Sequence, residues 1–382
     1  MRPDFLFRDD LRREEDERDD GDHLVIAIAS GMNAGRRNLL KGLGCAGIVG
    51  ACRLLSAEAT PHDASVSSGV KEVRFCLFAD LHYAPGCFPH DTELFLDKII
   101  ARAKSEKVDF ILHLGDLIHR AGDPKTLALV ERYNRCGIPA YHTIGNHDND
   151  GGDEAATLAA FGLKRGYYHF DVRGFRFIVC DCNYIRHADG SVEHYANCNY
   201  YSLAKDEQTS WLPDEQIAWL ADAIEHSPGP CIICSHQSFE RERGGVPNYH
   251  AVREVLDSAN RRHPGRVLLV MNGHEHIDNL RILNGILYYD VNSANFQWFN
   301  KRHSCYSEDY CRTHTMAAHT LAWTEPLSAI VSLSADGRIR IKGSQADWMY
   351  GVTPEKANLS PLDTIGRPIL PIMQSADIRL GF

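Results

Sequence analysis

From about residue 72 the chain alternates apolar runs of strand length with stretches whose apolar residues recur at helical spacing. The runs 73–79 (VRFCLFA), 110–114 (FILHL) and 138–144 (IPAYHTI) read as strands. Between and after them, 92–107 (Thr92 as its cap), 124–136 and 153–161 read as helices. The rhythm then changes. Two strand-like runs flank Arg173-Gly174, a hairpin signal. Residues 212–227 predict an amphipathic helix with Pro213 in its first turn, and a further helix fits 247–263. The runs 231–235 (CIICS), 266–272, 285–291, 328–334 and 338–343 predict strands. Residues 183–212 and 293–327 show no clear period and read as irregular insertions.

Five of these runs end at once on residues that bind metals or move protons. They are Asp80 with His82, Asp116 after Gly115, Asn146-His147-Asp148 after Gly145, His236 after Ser235, and His274-Glu275-His276 after Gly273. Each has a plainer reading alone: Asp116 as a turn residue, His236 as a satisfied core histidine, 144–150 as a solvated turn. Five in order, each at a strand end, is harder to explain that way. In open α/β sheets ligands gather beyond the carboxyl ends of the strands, so the five tips form one candidate site. Residues i and i+2 of an extended chain face the same side, which would turn Asp80 with His82, and His274 with His276, toward it. Imidazole, carboxylate and amide oxygen without thiolate suit Zn, Mn or Fe. A carboxylate can bridge two such ions roughly 3.5–4 Å apart, a spacing that suits phosphoryl chemistry.

In this pattern the chain resembles the calcineurin-like metallophosphoesterases, whose motifs run D-x-H, G-D-x-x, G-N-H-[D/E], a lone His, and G-H-x-H. The resemblance covers roughly residues 72–343. It implies an α/β (α+β four-layer) fold, a two-sheet β-sandwich flanked by helices, and an enzyme hydrolysing phosphoric ester bonds. It implies two divalent or trivalent metal ions: Asp80, His82 and His276 on the first, Asn146, His236 and His274 on the second, Asp116 bridging. A hydroxide held between them would attack phosphorus in line. His147 would protonate the leaving oxygen, and Asp148 would orient His147. Purple acid phosphatases carry Tyr in the second motif, where this chain has His119. The tyrosinate-iron site of that branch is therefore not expected, and His119 reads as a rim residue.

Charge narrows the partners. The net charge is −10, with −5 in residues 1–23, +3 in 35–59 and −8 in the remainder. No basic stripe survives beyond residue 60, so a small phosphorylated substrate is expected rather than a long nucleic acid. Residues 1–31 read as a charged head, disordered or untranslated, with Met32 as an alternative start. Residues 32–59 hold Arg36-Arg37, a weakly apolar run and Ala57-Glu58-Ala59. They resemble a twin-arginine export signal, with Gly35 and Leu39 departing from its pattern. This implies the twin-arginine export machinery as partner and a periplasmic or secreted product. The minority reading is a lipid anchor through Cys52. No stable membrane span is expected in the mature chain. A linker at 60–71, a catalytic domain at 72–345 and an extension at 346–382 complete the layout.

Two alternatives belong to other classes. One is a non-catalytic scaffold on the same fold, though every ligand position is filled. The other is a redox protein using Cys231-x-x-Cys234; those cysteines sit in an apolar strand, which favours a structural role.

Overall fold

The structure, a computed structural model, describes residues 72–382 apart from 122–123, 199, 201–203, 205 and 300. The charged head, the twin-arginine-type segment, Cys52 and the whole linker lie outside the described residues. The strands are β1 (Val73–Phe78), β2 (Phe110–Leu114), β3 (Ala140–Thr143), β4 (Tyr168–Val172), β5 (Phe175–Val179), β6 (Tyr184–Arg186), β7 (Val192–His194), β8 (Cys231–Cys234) and β9 (Val267–Asn272). They continue with β10 (Asn279–Leu283), β11 (Ile286–Asp290), β12 (Phe296–Trp298), β13 (Thr320–Ala322), β14 (Ala329–Leu333), β15 (Arg338–Lys342), β16 (Ser344–Gln345), β17 (Ile372–Met373) and β18 (Ala376–Arg379). The helices are α1 (Thr92–Ser105), α2 (Pro124–Asn134), α3 (Glu154–Phe161), α4 (Asp214–Glu225), α5 (Tyr249–Arg262) and α6 (Glu308–Thr313).

Two six-stranded sheets carry the fold, in the orders β18-β15-β14-β1-β2-β3 and β10-β11-β9-β8-β5-β4. Strands β1, β2 and β3 run parallel, as do β5, β8, β9 and β11. Such strands are covered on both faces, and their sequences are near-continuous apolar runs for that reason. In β1, alternate side chains divide between two cores. Phe75 and Leu77 enter the layer between the sheets, where they meet residues such as Phe177 and Met271. Cys76 and Phe78 face the helices, packing with Phe95, Ile99 and Tyr133 of α1 and α2. The second sheet repeats this outside α4 and α5, with Ile178, Ile233 and Val270 against Leu220 and Leu256. The result is the four-layer sandwich expected.

The spacing C-x-x-C has a structural explanation. Cys234 belongs to the inter-sheet core and Cys231 to the outer one, so the two point to opposite faces of β8. Both are buried and free. The hairpin at Arg173-Gly174 forms, with φ of 52° and 86° at the two turn residues, the double left-handed pattern of a tight turn.

Four expectations need correction. Asp91, not Thr92, caps α1, its side chain accepting the Leu94 amide. Residues 183–212 are not simply irregular: β6 and β7 pair as a small hairpin. Residues 293–327 hold the β12–β13 pair and α6. The segment 346–382, expected as an extension, supplies β17 and β18, and β18 closes one edge of the first sheet against β15. Among the described residues, no helix is long and apolar enough to cross a membrane.

Candidate dinuclear metal centre

All five tips lie at the carboxyl ends of β1, β2, β3, β8 and β9, three from one sheet and two from the other. The backbone there is not extended. Asp80, His82, Asp116, His274 and His276 have φ of 52°, 48°, 53°, 72° and 54°. Members of each i, i+2 pair do turn toward the centre, but through left-handed residues rather than by strand alternation. That conformation costs of order 1 kcal/mol or more per non-glycine residue and clusters at functional sites. Glycine is required beside it. Gly115 has φ 93°, and a methyl group there would overlap the His236 ring. A methyl on Gly145 would overlap the Asp116 carboxylate. Gly145 thus serves close approach, not a left-handed turn.

The side chains converge as an acceptor cluster. His82 Nε2 lies 3.1 Å from His276 Nε2 and 3.6 Å from Asp116 Oδ2. Asp80 Oδ1 lies 3.4 Å from His276 Nε2 and 3.8 Å from His82 Nε2. On the other side, His236 Nε2 stands 3.2 Å from Asp116 Oδ2 and 3.1 Å from Asn146 Oδ1. Asp116 Oδ2 therefore sits between the two groups. Asp80 reaches both as well, being 3.9 Å from His236 Nε2. The His274 ring packs 5.0 Å from the His236 ring, and the His274 amide meets the Asp80 carboxylate.

Two of the imidazoles are oriented from behind. His236 Nδ1 meets the Leu114 carbonyl and His276 Nδ1 the Phe296 carbonyl, each at 2.7 Å. A ring nitrogen that donates to a carbonyl leaves the other with a lone pair, the usual arrangement of a metal-binding histidine. His82 turns Nδ1 toward His119 Nδ1 at 3.5 Å. Burial and the surrounding imidazoles push His82 well below the ordinary histidine range, and His274 to about 3. Burial opposes charge on Asp116, but His236, His147 and His82 outweigh it and hold the carboxylate well below its usual range. Burial likewise opposes charge on His236, yet the Asp116 and Asp80 carboxylates pull it up to about 9. The carboxylates thus draw a proton onto His236, while acceptor atoms face one another elsewhere, which makes a centre short of positive charge. Cations fit it, and the mixed N/O donors suit Mn, Fe or Zn.

His147 occupies a 3-10 turn, His147–Asn149. Its amide donates to Asp116 Oδ1 at 2.8 Å, and its ring stacks on His119 with centroids 4.5 Å apart. Its Nδ1 meets Asp150 Oδ2 at 3.0 Å. That contact was expected from Asp148. Instead the Asp148 carboxylate accepts the backbone amides of Asp116, Gly145 and Ile118 at 2.9, 2.8 and 3.1 Å. The reason is the turn: residue i+3 returns to the face of His147, while i+1 points inward beneath the tips. Asp148 thus fastens the β2 and β3 tips together.

Other residues meet the cluster. His119 touches His82 and His147 rather than standing at a rim. Tyr200, from the 183–212 insertion, joins the site through Asn146 and Asp150. From the C-terminal segment, Arg367 reaches Glu275 at 2.6 Å and Asp290 at 2.7 Å, bracing the loop that carries His274 and His276. Adjacency to the motif marks Asp150 in the sequence as a pocket residue, not as the partner of His147; nothing local marks Tyr200 or Arg367.

Fold and donor set together define a metallophosphoesterase. The model of the calcineurin-like phosphoesterase family matches residues 73–278, and the chain belongs to that family of phosphoric ester hydrolases. None of the curated proteins matches it in sequence. Among solved structures it is similar to a dimetal phosphatase from Danio rerio, at 15% identity and TM-score 0.53, covering 81% of this chain and 99% of that one. It is also similar to GAP50, the anchor in the inner membrane complex of Plasmodium (15% identity, TM-score 0.45, covering 81% and 90%). A third is a purple acid phosphatase from yellow lupin (12% identity, TM-score 0.41, covering 72% and 51%).

Proposed function

We propose that the chain is an exported phosphoesterase that holds two metal ions and cleaves an ester of a small phosphorylated metabolite. The observation that carries this is the acceptor cluster itself: His82 Nε2, His276 Nε2 and Asp80 Oδ1 within 3.8 Å of one another beside a second group on Asp116. Asp80, His82 and His276 would hold one ion, Asn146, His236 and His274 the other, and Asp116 both. When bound, such ions make water nucleophilic at neutral pH and withdraw charge from phosphoryl oxygens.

The chain's own groups do the rest. Asp116 fixes His147 through its amide, and Asp150 takes His147 Nδ1, leaving Nε2 to protonate the leaving oxygen. Burial opposes charge on His147, but Asp116 and Asp150 outweigh it and raise its pKa above the ordinary value. Phosphodiesters, nucleotide diphosphates and phosphomonoesters all remain within this reading. A screen of mono-, di- and cyclic phosphoesters with Mn, Zn and Fe tests it. Turnover with one class is expected; fewer than one metal per chain and no turnover with any of them would overturn it in favour of a scaffold.

Export rests on Arg36-Arg37, the run that follows and Ala57-Glu58-Ala59. Residues 32–62 fused to a reporter that requires folded export are expected to carry it across the membrane. Unchanged export after Arg36→Lys with Arg37→Lys would refute the signal.

A further inference from the structure

Tyr200 enters the centre between two groups with different tasks. Its hydroxyl accepts from Asn146 Nδ2 at 3.1 Å and donates to Asp150 Oδ1 at 3.1 Å. Beyond those partners, Asn146 Oδ1 lies 3.1 Å from His236 Nε2 and Asp150 Oδ2 lies 3.0 Å from His147 Nδ1. We propose that Tyr200 is a positioning residue that sets Asn146 as a metal ligand and His147 as the proton donor through one hydroxyl. The second of these tasks rests on the phosphoesterase reading; the first needs only metal binding.

The chemistry of the two partners makes the hydroxyl effective. An amide has two ends of similar shape, and only the oxygen has lone pairs for a cation. An acceptor on Nδ2 fixes which end faces His236. A carboxylate has two oxygens. With Oδ1 taken by the phenol, Oδ2 is directed at the imidazole, which fixes the ring plane and the direction of Nε2. Hydrogen-bonded partners behind ligands and catalytic groups typically change metal affinity or activity about 10- to 100-fold when removed.

The phenol is itself held in place. Tyr200 is buried, and its ring stacks on Tyr195 with centroids 4.2 Å apart and planes at 15°. The Tyr195 hydroxyl is bonded to Ser210 Oγ at 3.1 Å. The insertion carrying both tyrosines begins as the β6–β7 hairpin, so its contribution here is a buried aromatic pair.

Tyr200→Phe keeps the ring stack and removes the hydroxyl. Mn titration of the chelator-stripped full chain is expected to show one site unchanged and the other weakened about 10-fold. Turnover of an alkyl phosphoester is expected to fall about 10-fold, and that of an activated aryl ester much less. In an Asp150→Ala background, the same substitution is expected to leave the ratio between the two esters unchanged. Unaltered thermal melting of the metal-free chain excludes general unfolding. Wild-type metal titration together with equal rate changes for both esters would overturn the proposal. If wild-type protein cleaved no ester, the phosphoesterase reading would fail, and the Mn titration would still decide whether Tyr200 governs Asn146.

Discussion

His236 and His276 each lean on a main-chain carbonyl at 2.7 Å, and Asp148 ties three backbone amides of the β2 and β3 tips. His147 instead leans on the side chain of Asp150, which in turn meets Tyr200 from the 183–212 insertion. The ligand side of the centre is thus fastened largely to the ends of two sheets. The His147 side hangs on a chain of side chains, one of them from a distant loop. On the proposed reading, metal holding rests mainly on the sandwich, with the ligand Asn146 meeting Tyr200 of the insertion, whereas proton delivery depends on that added element more fully. The two should therefore separate under mutation.

The sharpest break is expected at the shared residue. Asp116 touches both donor groups and the His147 amide. Asp116→Ala should lose metal and lower turnover by at least about 10³-fold, the scale of removing a principal electrostatic group. Both metals retained by that variant would undo the shared role. His147→Ala should keep both metals and slow cleavage by about 10²- to 10⁴-fold for esters with poor leaving groups. Equal losses for activated and unactivated esters would count against proton donation.

Asp148→Ala probes the ligand side through its backbone. Three buried amides would lose their acceptor, so stability should fall by on the order of 3 kcal/mol in denaturant unfolding, with weaker metal binding. A selective effect on poor leaving groups with normal stability would return Asp148 to the role of holding His147.

The smallest effect is expected outside the centre. His90 stacks on Phe95 with centroids 5.2 Å apart, and both its ring nitrogens are shielded without a partner among the described residues. Burial pushes its pKa from 6.5 down to about 3. The fold therefore favours neutral His90. Its share of stability is complete above about pH 6.5 and is lost as pH falls from there toward 3, the range in which the unfolded chain takes up the proton and the folded chain does not. His90→Phe should flatten the decline of the urea midpoint between pH 7 and about 5 by a small amount. An unchanged slope would show that His90 does not contribute to it.

Much of the side-chain cluster was legible because its members follow apolar runs, most of them after a glycine or serine, so strand ends and donor residues could be counted together. The surroundings of His147 were less so. Asp148 and Asp150 both follow His147 closely, and only the 3-10 turn decides which carboxylate meets the ring. Tyr200 is separated from Asn146 by α3 and two hairpins and carries no motif. The left-handed backbone of Asp80 and His82 is invisible in residue types that usually avoid it. Strand β10 (NLRIL) mixes polar and apolar positions because only Leu280 and Leu283 of it are buried, and β18 is four residues at a sheet edge.

Metal content per folded chain, measured side by side for wild type, Asp116→Ala and His147→Ala, tests the central claim most directly. Two metals in wild type and His147→Ala, with fewer in Asp116→Ala, is the predicted result. Loss of metal in His147→Ala, or two metals in Asp116→Ala, would contradict it.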